Sequence, residues 1–273
     1  MSDNLTQCDA DFVRDLVFRR AAIQLDQSKQ YLLEMRLEQL ARDRGFENIS
    51  TLMSTARSAA PTLDTAIVEA ITTHETSFFR DLHPFNMVRD HVLPTLIAAR
   101  ERTRSLTIWS AACSTGQEAY SLAMIVREHF PALAQWPVRI VATDISEKVV
   151  AKAREGHFSQ MDLNRGLPAP MLVKYFDRDG VNWRAKPALR DLIEFRKLNL
   201  LDPWGPLRPD LVLIRNVLIY FDVASKRSIL SRIRQVIAPD GALLLGASET
   251  TFGIDEAWEC VTREKSSYYR VRS

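Results

Sequence analysis

The segment that most constrains the fold runs from residue 106 to residue 144, where a helix is flanked by two β-rich runs. The first run is LTIW (106–109), and the second is VRIVATD (138–144). Between them, a loop of small residues leads into a helix expected from about Gln117 to Glu128. A strand, a helix of this length and another strand are typical of one unit of a parallel, doubly wound sheet.

The same alternation continues in the C-terminal part of the chain. DLVLI (210–214) and ALLLGA (242–247) are predicted to be buried strands, with a helix between them from about Ala224 to Ile237. Residues 91–273 are therefore predicted to form an α/β domain around a Rossmann-like, mostly parallel sheet.

Residues 1–90 show a different pattern and are predicted to form an all-helical domain. Apolar residues recur at helical spacing at Leu33, Leu37, Leu40 and Ala41. Gly45 is expected to end this helix, and Ser50 and Thr51 can cap the next one.

Residues 172–197 are predicted to form a small inserted antiparallel β-subdomain. Asp179 and Gly180 are a turn signal, and Pro187 argues against a central parallel strand. The segment is biased towards basic residues, which are Arg178, Arg184, Lys186, Arg190, Arg196 and Lys197. This pattern fits a solubilising surface flap and a partner-binding surface equally well.

Composition excludes several classes of protein. Hydrophobic residues make up 46% of the chain and the net charge is +2, so composition fits a globular protein and gives no argument for nucleic-acid binding. The polar start, MSDNLTQCDADF, is unlike a signal peptide, and no apolar run approaches the roughly 20 residues of a membrane helix. We therefore expect a cytoplasmic protein without membrane insertion.

Cysteines and histidines argue against a disulfide framework and a metal site. The three cysteines are far apart and none lies in a CxxC motif, which favours a reducing compartment. Because His74, His83 and His91 share no zinc-type spacing, we expect no bound metal.

The loop after the first strand, Ala111–Gly116, has the composition of a ligand-binding loop. Small residues such as Ala112 let a ligand approach the backbone, and the helix start offers free N–H groups. Gly116 is its only glycine, so the loop lacks the GxGxxG pattern of a pyrophosphate site and argues against a nicotinamide dehydrogenase. Asp144 ends the next strand, where a carboxylate can accept from both ribose hydroxyls. Together these features predict an adenosyl or nucleotide cofactor.

Two residues near this loop allow alternative interpretations. Glu118 lies in the first helical turn, where it can stabilise the helix dipole or accept from the ammonium group of a cofactor. Cys113 has no neighbouring base to activate it as a nucleophile, which favours a small packing residue.

Three longer segments resemble those of the CheR-type chemotaxis receptor methyltransferases. They are THETSFFRD (73–81), WSAACSTGQEAYSLAM (109–124) and IRNVLIYFD (214–222), and the resemblance runs from about Phe12 to Val271. It implies a class I methyltransferase domain that uses S-adenosylmethionine and yields S-adenosylhomocysteine, an N-terminal helical domain and an inserted antiparallel β-subdomain. It also implies that the substrates are glutamate side chains on the cytoplasmic methylation helices of chemoreceptors, which become methyl esters in chemotaxis adaptation.

The resemblance implies roles for individual residues. Besides Ala112, cofactor contacts are expected at His74, Thr76, Arg80, Glu118, Asp144, Asn199, Leu200, Arg215 and Asn216. Arg80 is expected to hold the acceptor carboxylate or organise the cofactor pocket, and Tyr220 to lie beside the transferred methyl. From residue type alone, Arg80 also fits a structural salt bridge and Tyr220 a core aromatic.

Two departures from the family pattern change what is expected. His74 stands where relatives usually have Asn, and a neutral imidazole offers its donor and acceptor in a different geometry. The loop FDRDGVN (176–182) is short, with one glycine, whereas members that bind a receptor's C-terminal pentapeptide tether have a glycine-rich loop. We therefore expect the tether-independent type.

A glutamate acceptor has a reference pKa of about 4.3, so it is ionised at neutral pH and needs no general base. Basic residues on the predicted helix Lys29–Arg44 resemble those that lie along the acidic receptor bundle, although a solvated face has the same charges. The protein is expected to be a monomer. Alternative hypotheses are a regulatory or scaffolding protein that binds S-adenosylmethionine, and a methyltransferase for another protein or a small molecule.

Overall fold

The computed structural model describes residues 5–26, 28, 30–58 and 61–272. The chain divides into two compact units. One contains the described residues up to Thr73 together with Tyr220–Ser225, and the other contains His74–Ile219 and the residues from Lys226 onward. This division falls earlier in the chain than the domain boundary predicted after residue 90, which stays a prediction.

The first unit is helical, as predicted. Its α-helices within the described residues are α1 (Gln7–Ala21), α2 (Gln30–Asp43), α3 (Ile49–Arg57) and α4 (Pro61–Ile71). The face that α2 buries is the predicted one, formed by Leu33, Leu37, Leu40 and Ala41. Lys29, the predicted first residue of this helix, lies outside the described residues.

The cap of α3 differs from the prediction. The side chain of Asn48 accepts a hydrogen bond from the backbone N–H of Thr51 at 2.9 Å. Asn48 has extended backbone, with φ −159° and ψ 177°, which is the conformation that lets an N-cap side chain reach back to the first turn. Ser50 and Thr51 lie inside the helix and therefore do not cap it.

The second unit is built on a mixed sheet. Its strands are β1 (Leu106–Ala111), β2 (Val138–Asp144), β3 (His157–Phe158), β4 (Phe176–Asp179), β5 (Asn182–Ala185), β6 (Ile193–Lys197), β7 (Leu211–Ile214), β8 (Ala242–Leu245), β9 (Trp258–Arg263) and β10 (Ser266–Val271). Within the described residues the main sheet has seven strands in the order β6-β2-β1-β7-β8-β10-β9. The first five in this order pair in parallel, and β10 pairs antiparallel with β8 and β9. The doubly wound sheet and its four predicted strands are confirmed.

Helices follow most of these strands. The α-helices after α4 are α5 (His83–Met87), α6 (Leu93–Ala99), α7 (Gln117–His129), α8 (Glu147–Glu155), α9 (Gln160–Asn164), α10 (Ala169–Tyr175), α11 (Pro187–Arg190) and α12 (Val223–Val236). A π-helix spans Val88–Val92, and 3₁₀-helices span Pro131–Gln135 and Leu218–Tyr220. The side chain of Ser146 caps α8, as predicted, by accepting from the N–H of Val149. No helix in the described part of the chain combines the length and apolar character needed to span a membrane.

The small antiparallel sheet has different bounds from the predicted insertion at 172–197. Its strands are ordered β3-β5-β4, so it begins earlier, at His157. Ile193–Lys197, inside the predicted insertion, is β6 of the main sheet and pairs in parallel with β2. Phe195 of β6 is buried in the main core, and Arg154 of α8 donates to its carbonyl at 3.0 Å, which protects this sheet edge.

The parallel pairing brings the carboxyl ends of the central strands to one edge of the sheet. Ala111 at the end of β1 lies opposite Thr143 of β2 and Ile214 of β7, and Ile214 lies opposite Leu245 of β8. Ligands of open α/β sheets bind at this edge. The loops after β1, β2, β7 and β8 are therefore the place to look for a site.

Candidate cofactor site at the carboxyl ends of the parallel strands

The loop after β1 is held in shape by backbone hydrogen bonds. The N–H of Cys113 donates to the carbonyl of Thr143 at 2.8 Å, and the N–H of Gly116 donates to the carbonyl of Cys113 at 3.0 Å. Ala112 and Ser114 have left-handed backbone, with φ 57° and 52°. Backbone in this sparsely populated region persists only where the surrounding structure fixes it, and such residues are common at ligand-binding sites.

Gly116 is required by space as well as by conformation. Its φ is +96°, and an added Cβ would lie 3.0 Å from the Cβ of Ala153 and 3.3 Å from Cε2 of Tyr120. This single glycine lets α7 begin directly against α8 and the aromatic core.

Asp144 forms the acidic end of β2, as predicted. Its carboxylate accepts from the N–H of Ser114 at 2.9 Å and from the N–H of Ser146 at 3.1 Å, and the residue is only 5% exposed. Burial raises the pKa of this carboxyl above its ordinary value, while the N–H of Ser146 and the charge of His74 oppose the rise. A carboxylate has about four acceptor positions, so Asp144 keeps capacity for ligand hydroxyls.

Glu118 lies in the first turn of α7 and is joined to Arg215 after β7. Its Oε1 accepts from the hydroxyl of Ser110 at 2.8 Å, and its Oε2 accepts from Arg215 at 3.1 Å. The Glu118 side chain is 13% exposed. The carboxylate is therefore fixed in place and still accessible beside the helix start.

Arg215 is the most heavily bonded of the predicted cofactor residues. Its side chain is 1% exposed and also donates to Asp81 and to the carbonyl of Arg80, both at 2.9 Å. The guanidinium lies over the ring of Phe85, 5.3 Å from its centroid. Arg215 thus joins the segment before α5 to α7, and its cofactor contact stays a prediction.

The segment His74–Asp81 lies against the same loop. The hydroxyl of Ser114 donates to the carbonyl of His74 at 2.8 Å, and His74 acts electrostatically on Asp144. The N–H of Phe79 donates to the hydroxyl of Ser121 on α7 at 2.9 Å. This part of the THETSFFRD motif is therefore anchored at the strand ends, beside Asp144.

Two of the motif residues predicted to meet the cofactor or the acceptor, Thr76 and Arg80, are both partly exposed. The guanidinium of Arg80 donates to the carbonyl of Glu75 at 3.0 Å. The partner is a backbone carbonyl, whereas the structural salt bridge considered for Arg80 in the sequence analysis would need a carboxylate. The cofactor and acceptor contacts of both residues stay predictions.

Asn199 and Leu200 follow β6, and β6 ends beside Asp144 at the end of β2. The N–H of Leu198 donates to the carbonyl of Asp144 at 2.8 Å, and the side chain of Asn199 accepts from the N–H of Leu201 at 3.1 Å. Leu200 is buried, and its carbonyl accepts from Trp204 at 3.2 Å. The pair is thus brought next to Asp144, and its contact with an adenine stays a prediction.

The loop after β7 is bonded to a residue that sequence patterns do not indicate, Glu249. Asn216 has left-handed backbone, with φ 58°, and its N–H donates to the carboxylate of Glu249 at 2.9 Å. Glu249 follows β8 in the sequence GASET. The position of Glu249 in the sequence could have indicated it, because a polar residue just after a predicted parallel strand lies at the ligand-binding edge of the sheet.

Tyr220 is assigned to the helical unit by its contacts. Its carbonyl accepts from the N–H of Gln24 at 2.7 Å, and Phe221 forms an antiparallel bridge with Ile23. The role of Tyr220 beside a transferred methyl stays a prediction.

Cys113 is buried, and burial raises the pKa of its thiol well above the ordinary value, which supports the packing interpretation.

Electrostatically, the site combines two carboxylates, Asp144 and Glu118, with the buried cation of Arg215. Within the described residues, no three His, Cys, Asp or Glu side chains are grouped so that they could hold a metal ion. A doubly wound sheet with a small-residue loop after β1 and a buried acid at the end of β2 is the arrangement of α/β proteins that bind an adenosyl or nucleotide cofactor.

Comparisons with known proteins identify the family. Residues 74–266 match the family described as CheR methyltransferase, SAM binding domain, and residues 9–72 match CheR methyltransferase, all-alpha domain. Chemotaxis protein methyltransferase 1 of Pseudomonas aeruginosa is 40% identical, over 98% of this chain and 100% of that protein. Chemotaxis protein methyltransferase Cher2 of Pseudomonas putida is 38% identical, over 96% and 98%. The chain belongs to the CheR methyltransferase family and is an S-adenosylmethionine-dependent methyltransferase of chemotaxis.

Two solved structures show a weaker similarity to this chain. A TehB-like SAM-dependent methyltransferase from Corynebacterium glutamicum is 13% identical, with a TM-score of 0.39, over 71% of this chain and 96% of that one. The glycopeptide N-methyltransferase MtfA in complex with S-adenosylmethionine is 17% identical, with a TM-score of 0.35, over 64% and 57%.

Proposed function

We propose that this protein transfers the methyl group of S-adenosylmethionine to glutamate side chains on the cytoplasmic helices of chemoreceptors. The observation that carries the proposal is the match to chemotaxis methyltransferases over 98% of the chain, both family regions included. The site supports it, because a buried aspartate, a fixed glutamate and a small-residue loop lie together at the strand ends.

The residues at this edge fit S-adenosylmethionine. Asp144 keeps acceptor positions for the ribose hydroxyls, and Glu118 offers a fixed carboxylate for the ammonium group. The loop at Ala112 leaves room for the methionine part, and Asn199 and Leu200 would flank the adenine. When bound, this group supplies a methyl on a positively charged sulfur.

Within this proposal, the chain's own residues align the reactants. The acceptor carboxylate is already ionised, with a reference pKa of about 4.3, so no protein base has to remove a proton. Arg80 holds the acceptor carboxylate with a planar guanidinium, and Tyr220 lies beside the reacting carbon. Alignment of two reactants and exclusion of water are worth about 7–11 kcal/mol in well-oriented reactions.

The first experiment replaces Arg80 by alanine. Receptor methylation is expected to fall to background while S-adenosylhomocysteine still binds and the melting temperature is retained, because the partly exposed Arg80 side chain donates to the nearby carbonyl of Glu75 and that bond is replaceable by water. Arg89→Ala is the matched control, since Arg89 is paired with Asp90 at 36% exposure. Receptor methylation by Arg80→Ala at the wild-type rate would contradict the proposed role of Arg80 in methyl transfer.

Receptor recognition is proposed for the basic face of α2. Arg42 is 61% exposed and lies 3.7 Å from Glu38, whereas Arg36 donates to the carbonyl of Ile71 and to Thr73. Arg36 therefore has a structural task in the helical unit, and Arg42 is the better probe. Arg42→Glu is expected to lower receptor methylation several-fold, whereas Arg19→Glu, at 60% exposure on α1, leaves it unchanged. Equal rates for both variants rule out α2.

The β4–β5 hairpin supports the tether-independent type. Its turn contains one glycine, Gly180, with φ +60°, and Val181 is 83% exposed. We propose a monomer that works in the cytoplasm without a metal and does not need the receptor's C-terminal pentapeptide. Receptors with and without that tail should be methylated at equal rates, and a large loss on its removal would establish tether binding.

A further inference from the structure

Glu249 bonds to backbone on two separate segments at the strand ends. Its Oε2 accepts from the N–H of Asn216 at 2.9 Å and from the N–H of Gly246 at 2.6 Å. Its Oε1 accepts from the N–H of Val217 at 2.9 Å and from the N–H of Ile219 at 3.3 Å. One side chain thus satisfies four donors and joins the loop after β7 to the end of β8.

An ionised carboxylate is the group that this arrangement needs. Both carboxylate oxygens accept, and together they have about four acceptor positions, which the four N–H donors use. A glutamine has only one side-chain oxygen. Its NH₂ group would take the place of the other carboxylate oxygen and would face two N–H groups, which are donors like itself. Hydrogen bonds to a charged group are also stronger than neutral ones.

Gly246 shows how closely the two segments approach. An added Cβ there would lie 2.7 Å from Oε2 of Glu249 and 2.8 Å from both the N and the Nδ2 of Asn216. The side-chain amide of Asn216 is therefore packed against Gly246 as well as held through its own N–H. A shift of the Glu249 carboxylate would move Asn216, whose left-handed φ of 58° costs energy unless its surroundings fix it.

We propose that Glu249 is a positioning residue of the methyl-transfer site. Its carboxylate fixes the backbone from Asn216 to Ile219, and through it the face that the loop after β7 presents to the cofactor. The inference rests on the proposed cofactor contact of Asn216. It gives Glu249 a role in binding and transfer, beyond holding the fold together.

The test compares Glu249→Gln with Glu256→Gln. Glu256 is a matched control because its carboxylate also accepts from a loop backbone N–H, that of Gly253 at 3.0 Å, and the residue is exposed. In Glu249→Gln, the amides of Val217 and Ile219 should exchange hydrogen faster. The Kd for S-adenosylhomocysteine should rise about tenfold or more, as expected for the loss of charged hydrogen bonds. The control should match wild type in both measurements.

Kinetics separate positioning from a purely structural role. For folded Glu249→Gln enzyme, counted by active-site titration, the KM for S-adenosylmethionine should rise and kcat should fall. A lowered melting temperature with wild-type Kd, KM and kcat would overturn the proposal, and so would unchanged exchange at Val217 and Ile219. Glu249→Asp keeps the charge but is one methylene shorter, so it should recover only part of the affinity.

Gly246→Ala tests the same contact from the other side. It retains Glu249 but crowds its carboxylate and Asn216, so it should show the same rise in Kd and the same faster exchange. Wild-type affinity in a folded Gly246→Ala protein would contradict the proposal. Because S-adenosylhomocysteine binding needs no receptor, failure here is distinguishable from failure of the wild-type protein to methylate receptor glutamates.

Discussion

The loops after β1 and β7 follow neighbouring parallel strands, yet they are held in different ways. The β1 loop is fixed by several separate hydrogen bonds, from Cys113 to Thr143, from Gly116 to Cys113 and from Ser114 to Asp144. In the β7 loop, the backbone from Asn216 to Ile219 is held by one carboxylate, Glu249, which accepts from it at three positions. Both loops contain left-handed residues other than glycine.

The difference has a consequence for mutation. In the β1 loop, support is distributed over independent hydrogen bonds, so a change at one of them should leave the backbone in place and remove only a ligand contact. In the β7 loop, Arg215 has its own side-chain bonds, whereas support of the backbone from Asn216 to Ile219 is concentrated in Glu249, so one substitution should move this stretch. Substitutions at Asp144 and Gly116 test the first half of this contrast, while those at Glu249 and Gly246 test the second.

The largest effect is expected for Asp144→Asn. The amide keeps the volume and one acceptor oxygen but has no charge, so the ribose hydroxyls lose their carboxylate partner. Two charged hydrogen bonds at about 1.5 kcal/mol each correspond to a weakening of S-adenosylhomocysteine binding by about 100-fold or more. Titration calorimetry measures it, with Asp177→Asn on exposed β4 as the control.

The contrast also requires that the β1 loop keeps its shape in that variant. Hydrogen exchange at Cys113 and Gly116 should stay close to wild type, since their N–H partners are the carbonyls of Thr143 and Cys113. Rapid exchange at both amides would show that the β1 loop depends on one side chain after all.

Gly116→Ala should show an intermediate effect on the stability of the fold. The variant forces a Cβ to 3.0 Å from the Cβ of Ala153 and places alanine at φ +96°. Such a conformation costs about 1–3 kcal/mol of unfolding free energy. Chemical denaturation measures it, and Gly180→Ala is the control for positive φ alone, since nothing lies within 4 Å of its added Cβ. Equal losses in both variants would remove the argument from crowding.

The smallest effect is a dependence of cofactor affinity on pH through Asp144. Burial raises the pKa of this carboxyl, so protonation begins at a higher pH than for an exposed aspartate. Ribose hydroxyls need the ionised form, and therefore affinity should fall a few-fold as pH falls towards that pKa and level off above it. Asp144→Asn should abolish this part of the dependence.

The Asp144 carboxyl also affects the stability of the fold, and this effect has the opposite dependence on pH. Because its folded pKa is raised, the native state holds the proton longer than the unfolded state does. Its contribution to the unfolding free energy is therefore highest below the unfolded pKa, about 3.9, and declines as pH rises through the folded pKa. A smaller decline in Asp144→Asn than in wild type, measured by denaturation over this range, checks the sign.

Sequence patterns predicted the parts of the molecule whose signals are local. β7 and β8 are buried throughout and β1 and β2 over most of their length, and their apolar runs are recognisable without any partner. The start of α7, the cap at Ser146 and the strand-terminal Asp144 follow directly from these runs. They were enough to predict the sheet and the place of the cofactor site.

Other features depend on partners that are distant in the chain. Strand β3 has only two residues, too few for a pattern, and it forms through pairing with β5. Strand β6 has one buried residue, Phe195, and four that are partly or fully exposed, and its parallel pairing with β2 decides that it belongs to the main sheet. Glu249 lies 33 residues from Asn216, and its contacts follow from the pairing of β7 with β8.

The most direct measurement of the proposed activity follows a labelled methyl group from S-adenosylmethionine to the cytoplasmic fragment of a chemoreceptor. The account predicts transfer by the wild-type protein, release of the label as methanol in mild base because the product is a glutamate methyl ester, and no transfer by Arg80→Ala. Label that resists base or appears on other side chains would contradict the account. So would the absence of transfer by a wild-type protein that binds S-adenosylhomocysteine.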